Sequence, residues 1–330
     1  MTTVRNIGER GLLNKLQSFC PPNVVGDDGA VLSVESDKSL VVTTDVLVDG
    51  VHFSDRTTAP YDVGWRAAAA NLSDLAAMGA EPLGITVGLS LPEDLAVSWV
   101  EELYRGIYDC LQKYQTSIVG GDICRSQVIS VAITAMGQVL PERVIRRRNA
   151  RPGDAILITG LHGLSKAGLE LLLDRSLGDN LTSTEKEKLI IAHQRPQPRL
   201  DVLPWLAENA SDIAIAGMDS SDGLADAIVQ ICQCSEVGAN IDIHCLEIYP
   251  ALHKLAGKEK ALHWLLYGGE DFELVLCLPQ AIALAAIDYL GQNSAIIGTI
   301  VSEKRAVLID RLNSTNTKIL ELAEGFQHFA

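Results

Sequence analysis

Carboxylates recur beside glycine or hydroxyl residues along the whole chain, and their spacing is where chemistry would reside. GDDG at 26–29 brackets Asp27 and Asp28; TTD at 43–45 places Thr43, Thr44 and Asp45 inside the β-branched stretch VVTTDVLVDGVHF (41–53); NLSD ends in Asp74; GGD ends in Asp122; DSSD spans Asp219 to Asp222; and GGED carries Glu270 and Asp271. An ionised carboxylate on an apolar element is costly unless it is paired, hydrogen-bonded or bound to a metal. Each motif alone has an ordinary explanation: Asp and Gly form turns, Asp49-Gly50 would turn the chain after its strand, and Ser221 or Asp222 could cap the helix that follows. Together they supply hard oxygen donors only, a set suited to several magnesium ions. Magnesium is most useful where a polyphosphate must be held and its charge neutralised.

The sequence has no GxxxxGK[ST] loop, no HRD or DFG set, no GxSxG elbow and no HExxH or Cys/His cluster, which excludes the common nucleotide, hydrolase and zinc patterns. With 27 basic and 42 acidic residues the net charge is −15, which argues against a nucleic-acid or anionic-membrane surface. The seven cysteines include no CxxC pair and read as reduced thiols of a cytoplasmic protein. The first residues lack the apolar core of a signal peptide, and no run reaches the roughly 18 apolar residues of a membrane span.

The elements that must position these motifs follow from periodicity. The 330 residues suggest about two domains, and Pro152-Gly153 punctuates the chain before the strand AILITG, so we expect domains at 1–149 and 150–330. A short amphipathic helix is expected near 9–19, and Pro60 opens an alanine-rich helix running to about residue 78, with Gly79 as its cap. Asn71 and Asp74 share one face of that helix. Residues 83–92 alternate large and small side chains as a strand does, and the small face is expected close to another layer. The helix that follows carries a core stripe from Val97 to Tyr114. A short strand then ends in Gly120-Gly121-Asp122, a further strand covers 129–139, and the second half alternates helices with short strands. GLHG before the helix at 164 is a weak phosphate-loop suggestion beside ordinary turn chemistry, and Arg146, Arg147 and Arg148 are either a solvated linker or a clamp on phosphate.

The motifs GDDGAVL, TTDVLVDGVHF, NLSDLAAMGAEP, GGDICRS, SSDGLADA, YGGEDFEL and GFQHF, in that order and over nearly the whole chain, resemble the thiamine-monophosphate kinases. These belong to the superfamily of aminoimidazole ribonucleotide synthetase and selenophosphate synthetase. The resemblance implies a two-domain α/β (α+β) ATP-binding fold whose N-terminal sheets join across a homodimer, and direct transfer of a phosphoryl group from ATP to thiamine monophosphate with several Mg2+ ions. Carried over by position, it implies magnesium ligands at Asp28, Thr43, Thr44, Asp45, Asp74, Asp122, Asp219 and Asp222, with Asp27 a lesser candidate. Nucleotide contacts would come from Gly121, Asp122, Arg147, Ser221 and Tyr104, substrate contacts from His52, Glu270 and Phe326, and no covalent nucleophile is implied. The chain departs from the family at Ile123-Cys124 and Ser220 and retains Arg125. The alternative, a selenophosphate-synthetase-like enzyme, calls for a reactive cysteine with a nearby lysine before the first Asp motif, and Cys20 has no such context.

Overall fold

The structure, a computed structural model, describes residues 2–22, 24–25, 28–312 and 317–325. The chain divides into two compact units, 1–75 with 80–140, and 76–79 with 141–330.

The first unit holds α1 (Val4–Leu16), β1 (Ser39–Val48), α2 (Pro60–Ala77), β2 (Glu81–Leu91), α3 (Val97–Lys113), β3 (Ile118–Arg125) and β4 (Ser130–Val139). Its sheet has the order β1-β4-β2-β3, with β2 and β3 parallel and the other pairs antiparallel. The parallel pair requires a crossover, which α3 supplies. Because the side-chain period of a strand is two, the register sorts residues by face. Thr43, Asp45 and Leu47 oppose Ala135, Ile133 and Val131, which in turn oppose Ile85, Val87 and Leu89, and that face is the buried one. The other face carries Val42, Thr44 and Val46, opposite Met136, Thr134 and Ala132. Val42 and Val46 are 56% and 45% exposed, and the small residues Thr86 and Ser90 on this face are only half-buried. Helices α2 and α3 cross backbone to backbone: a Cβ on Gly64 would stand 1.9 Å from Leu103 O, and one on Gly106 1.8 Å from Tyr61 O. Only glycine permits that approach.

The second unit adds β5 (Ala155–Ile158), α4 (Leu164–Leu173), α5 (Ser183–Gln194), α6 (Leu203–Asn209), β6 (Ala216–Asp219), α7 (Leu224–Ser235), β7 (Gly238–Asp242), α8 (Pro250–Tyr267), β8 (Leu274–Leu278), α9 (Gln280–Leu290), β9 (Ala295–Val301), β10 (Ala306–Ile309) and β11 (Thr317–Ile319). The sheet order is β11-β10-β7-β9-β5-β8-β6, antiparallel except between β7 and β10. Ile156, Ile158, Val275 and Cys277 enter one core with α7 and α8. Ala155, Leu157, Leu274, Leu276 and Leu278 enter another with α6 and α9. Both faces of the central strands are therefore covered, which is why AILI and LVLCL are continuously apolar instead of alternating.

The division at 140/141 precedes the expected boundary at 149/150. The intervening residues are tied to the second unit: Arg146 N–H donates to Ile215 O at 3.2 Å, and the Asn149 amide donates to the same carbonyl at 3.1 Å. Ser235 Oγ donates to Arg147 O at 2.7 Å and accepts from Ala150 N at 3.0 Å. β3 also continues through Gly120-Gly121-Asp122 to Arg125, so Asp122 lies within a strand and not at its tip.

Candidate active site

In the first unit the register decides which candidate oxygens meet. Thr43 and Asp45 project toward α2, where the Thr43 hydroxyl donates to the Asp74 carboxylate and Asp45 N–H donates to Asn71 Oδ1 at 3.2 Å. Asn71 is fully buried and spends its own N–H on Ala67 O at 3.0 Å, which fixes its oxygen toward β1. The expected helix face carrying Asn71 and Asp74 is thus the one turned to the acidic strand. Thr44 differs from its neighbours. Its side chain is on the opposite face, 2.8 Å from the Thr134 hydroxyl, so Thr43, Thr44 and Asp45 do not converge as three side chains on one cation. Asp122 shares the open face with Thr44, since it opposes Gly88 and Gly88 opposes Ala132. The two stand on opposite edge strands, three strand spacings apart across the sheet and two residues apart along it, or about 16 Å.

Asp28 is exposed in the segment ahead of β1, and Asp27 lies outside the described residues. Gly121 is required by close approach, because a Cβ there would stand 2.2 Å from Val87 O. His52 sits in the turn after β1, where its Nδ1 accepts from Val48 N–H at 3.0 Å, an arrangement that leaves the ring proton on Nε2. Tyr104 is not displayed to a ligand. It is 5% exposed in the core stripe of α3, with its ring 5.8 Å from that of Phe19, and burial pushes its hydroxyl well above the usual range.

In the second unit two motifs distant in sequence come together. Asp219, 3% exposed at the end of β6, accepts from Ser221 Oγ at 3.1 Å, and Ser221 O accepts from Glu270 N–H at 2.7 Å. Ser220 is fully buried and bonded to the backbone of Glu273 through both its N–H and its hydroxyl. The departure at Ser220 therefore serves the junction of β6 with β8. Gly223, not Ser221 or Asp222, occupies the cap position of α7, without a side-chain cap bond, and Asp222 is exposed. Of the three arginines, Arg147 is the one anchored to α7, donating to Gln230 Oε1 at 2.7 Å, while Gln230 donates to Asp226 at 2.5 Å. Burial raises the Asp226 carboxyl, opposed by Gln230 and Arg147 and assisted by Asp222.

The GLHG turn is not a phosphate loop. Asp271 fills that position itself, accepting from Gly163 N–H at 2.6 Å and Ser165 N–H at 2.9 Å. Burial pushes its carboxyl up to about 7, against these bonds. Neighbouring Glu273 is also raised by burial, opposed by Arg199, which donates to it at 2.7 Å, and by Thr159 at 2.6 Å. Glu270 is more exposed than Glu273, 34% against 18% for the side chains, and its backbone is left-handed at φ 67°. Phe326 lies outside the described residues.

No group of three or more His, Cys, Asp or Glu side chains among the described residues is arranged to hold a metal ion. Magnesium does not need one, because it keeps several waters and binds through one or two carboxylates together with substrate phosphates. Thr43, Asp45 and Asp74 offer hard oxygens of that kind on one face, and so fit the ion.

Family models for AIR synthase related protein match the chain over residues 26–139 (N-terminal domain) and 151–311 (C-terminal domain). It is 50% identical to the thiamine-monophosphate kinase of Synechococcus elongatus, over 99% of this chain and 98% of that protein. The chain belongs to the thiamine-monophosphate kinase family. Identity to the family member of Escherichia coli K12 is 35% over 93% of this chain and 91% of that one. Among solved structures, the thiamine-monophosphate kinase of Stenotrophomonas maltophilia K279a aligns with a TM-score of 0.79 at 32% identity, covering 92% and 96% of the two chains. AaThiL complexed with AMPPCP and TMP aligns at 0.72 and 32% over 93% and 95%. Hydrogenase maturation protein HypE, at 0.76 and 20% over 96% and 97%, shares the fold alone. The family's motif positions include Glu270 but give no hint of His193, Ser165 and Arg199, which surround the GGED segment from α4, α5 and the loop before α6. Nothing in their local sequence marks them.

Proposed function

We propose that the chain transfers the γ-phosphoryl group of ATP directly to thiamine monophosphate, giving thiamine diphosphate. The observation that carries the reading is the meeting of Thr43, Asp45, Asn71 and Asp74, in a chain that matches a thiamine-monophosphate kinase at 50% identity from end to end. Magnesium ligands would come from Asp28, Thr43, Asp45 and Asp74 in the first unit and, taken by itself, from Asp219 and Asp222 in the second. Magnesium held by such oxygens would neutralise charge on the phosphates. The carboxylates set where those phosphates rest, Gly121 lets a nucleotide approach the strand backbone, Arg147 and Ser221 meet its phosphates, and His52, Glu270 and Phe326 meet the substrate. The acceptor oxygen is already ionised, so no general base is needed, and positioning with charge neutralisation carries the rate. His52 is the residue best placed in sequence to act as a nucleophile, but its Nδ1 is engaged by Val48 N–H and its Nε2 then carries the proton.

The working form is a homodimer. The exposed valines of β1 favour a second sheet against that face, and Thr44 and Asp122, at opposite edges of one sheet, can share a cation only if β1 of one protomer meets β3 of its partner. We place the enzyme in the cytoplasm: all seven cysteines are free thiols, and no helix among the described residues is long and apolar enough to cross a membrane.

The test is to incubate the protein with magnesium and γ-labelled ATP, with and without thiamine monophosphate. Label is expected in thiamine diphosphate only when both substrates are present, with no stable label on the protein. Exchange between ADP and ATP without thiamine monophosphate would overturn direct transfer, and failure to form thiamine diphosphate at all would overturn the assignment.

A further inference from the structure

We propose that His193 is a positioning residue for Glu270, holding its carboxylate from behind for the substrate; the inference rests on the reading of Glu270 as a substrate contact. His193 belongs to the last turn of α5 and is 1% exposed, and Ser165, in the first turn of α4, is fully buried. The two helices are in close contact because Gly168 has no side chain: a Cβ there would stand 2.1 Å from Leu189 O and 3.0 Å from His193 Cβ. Ser165 is fixed in turn by Asp271, whose carboxylate accepts its N–H at 2.9 Å and that of Gly163 at 2.6 Å. From this framework Ser165 Oγ stands 3.1 Å from His193 Nδ1, and the same nitrogen is 3.7 Å from Glu270 Oε2.

Serine, histidine and glutamate in a row suggest a nucleophilic triad, but the burial of Ser165 excludes that use. Only Glu270, at 34% exposure, opens to solvent. Its left-handed backbone, with that of Phe272 at φ 53°, is a conformation that persists in non-glycine residues where the surroundings over-determine it. Ser221 O holds the Glu270 N–H at 2.7 Å, so the main chain is pinned on one side and the carboxylate faces the buried imidazole on the other. At 3.7 Å the imidazole and carboxylate are not yet hydrogen-bonded, and such contacts commonly tighten in the substrate complex. The relay places the proton on Nδ1, where the one N–H is shared between Ser165 Oγ, which fixes the rotation of the ring, and Glu270 Oε2.

The experiment measures KM for thiamine monophosphate and for ATP in Glu270→Gln, His193→Leu, their double variant, His193→Asn and Ser165→Ala. His193→Leu is expected to raise KM for thiamine monophosphate about tenfold, the size of one hydrogen bond to a charged group, with KM for ATP essentially unchanged. His193→Asn, whose amide nitrogen can stand where Nδ1 does, is expected to restore most of the loss. The double variant is expected to be no worse than Glu270→Gln alone, because residues acting as one unit are not additive. Additive losses, or equal rises in both KM values, would reduce His193 to a packing residue. If Glu270→Gln itself leaves KM for thiamine monophosphate unchanged, the substrate role of Glu270 fails and the positioning role fails with it. Should His193→Leu not fold, the cycle is run with Ser165→Ala, for which a smaller but still substrate-selective rise is expected and an unselective one overturns the proposal.

Discussion

Replacement of Asp271 by asparagine isolates the titration of one half-buried carboxyl. Desolvation raises it from 3.8 to about 7, although the backbone N–H groups of Ser165 and Gly163 favour the charged form. Because the folded value lies above the unfolded one, the stabilisation from protonated Asp271 is fully present below about pH 3.8 and is lost as pH rises through about 7. Each pH unit between the two values is worth about 1.36 kcal/mol, so the whole effect is about 4 kcal/mol, of which about 3 kcal/mol is lost between about pH 5 and about pH 8. The asparagine that replaces it does not titrate. Its misplaced amide beside the α4 N–H groups costs a constant amount at every pH, so the difference between the two proteins reports Asp271 alone. Urea denaturation of both across this range should show the wild type losing about 3 kcal/mol relative to the variant as pH rises. A difference that stays flat, or grows with pH, would mean that the helix N–H groups keep Asp271 ionised throughout, and burial would not be the dominant influence.

The two threonines of the acidic strand should separate sharply. Thr43→Val removes the donor to Asp74 and is expected to lower turnover at limiting magnesium about tenfold or more, whereas Thr44→Val, whose hydroxyl lies on the other face against Thr134, should shift turnover only a few-fold; equal losses would mean that a cation on the open face matters as much as one held by Thr43 and Asp74. Asp74→Asn keeps the shape of the side chain and removes its charge, so turnover should disappear while the melting temperature holds, and a near-wild-type rate at limiting magnesium would remove Asp74 from the metal site. Val42→Asp places a charge on the exposed apolar face of β1 and should give a monomer in sedimentation velocity that has also lost turnover, while an active monomer would overturn the requirement for a partner.

The sequence marks which residues are chemically out of place, and the fold decides which of them are already answered. Asn71 and Asp74 are legible as one helix face because spacing of three is a local property, and the strands with alternating or continuous apolar runs are legible for the same reason. Sequence alone cuts β3 short because two glycines disfavour a strand. The reason they sit inside one, the 2.2 Å that would separate a Gly121 Cβ from Val87 O, is a tertiary fact. The division at 140/141 is hidden for a similar cause, since Arg146 and Asn149 are held by Ile215, a residue far along the chain. The GGED segment shows the limit most clearly. Its three carboxylates, Glu270, Asp271 and Glu273, look alike in sequence, yet Asp271 is met by α4 and Glu273 by Arg199 and Thr159, while the Glu270 side chain is more exposed than that of Glu273, 34% against 18%, on a left-handed backbone with a histidine of another helix 3.7 Å away. Asp271 and Glu273 tie the segment to α4 and to Arg199, and the substrate role proposed for Glu270 rests on its greater exposure and on the histidine beside it, which no spacing of residues encodes.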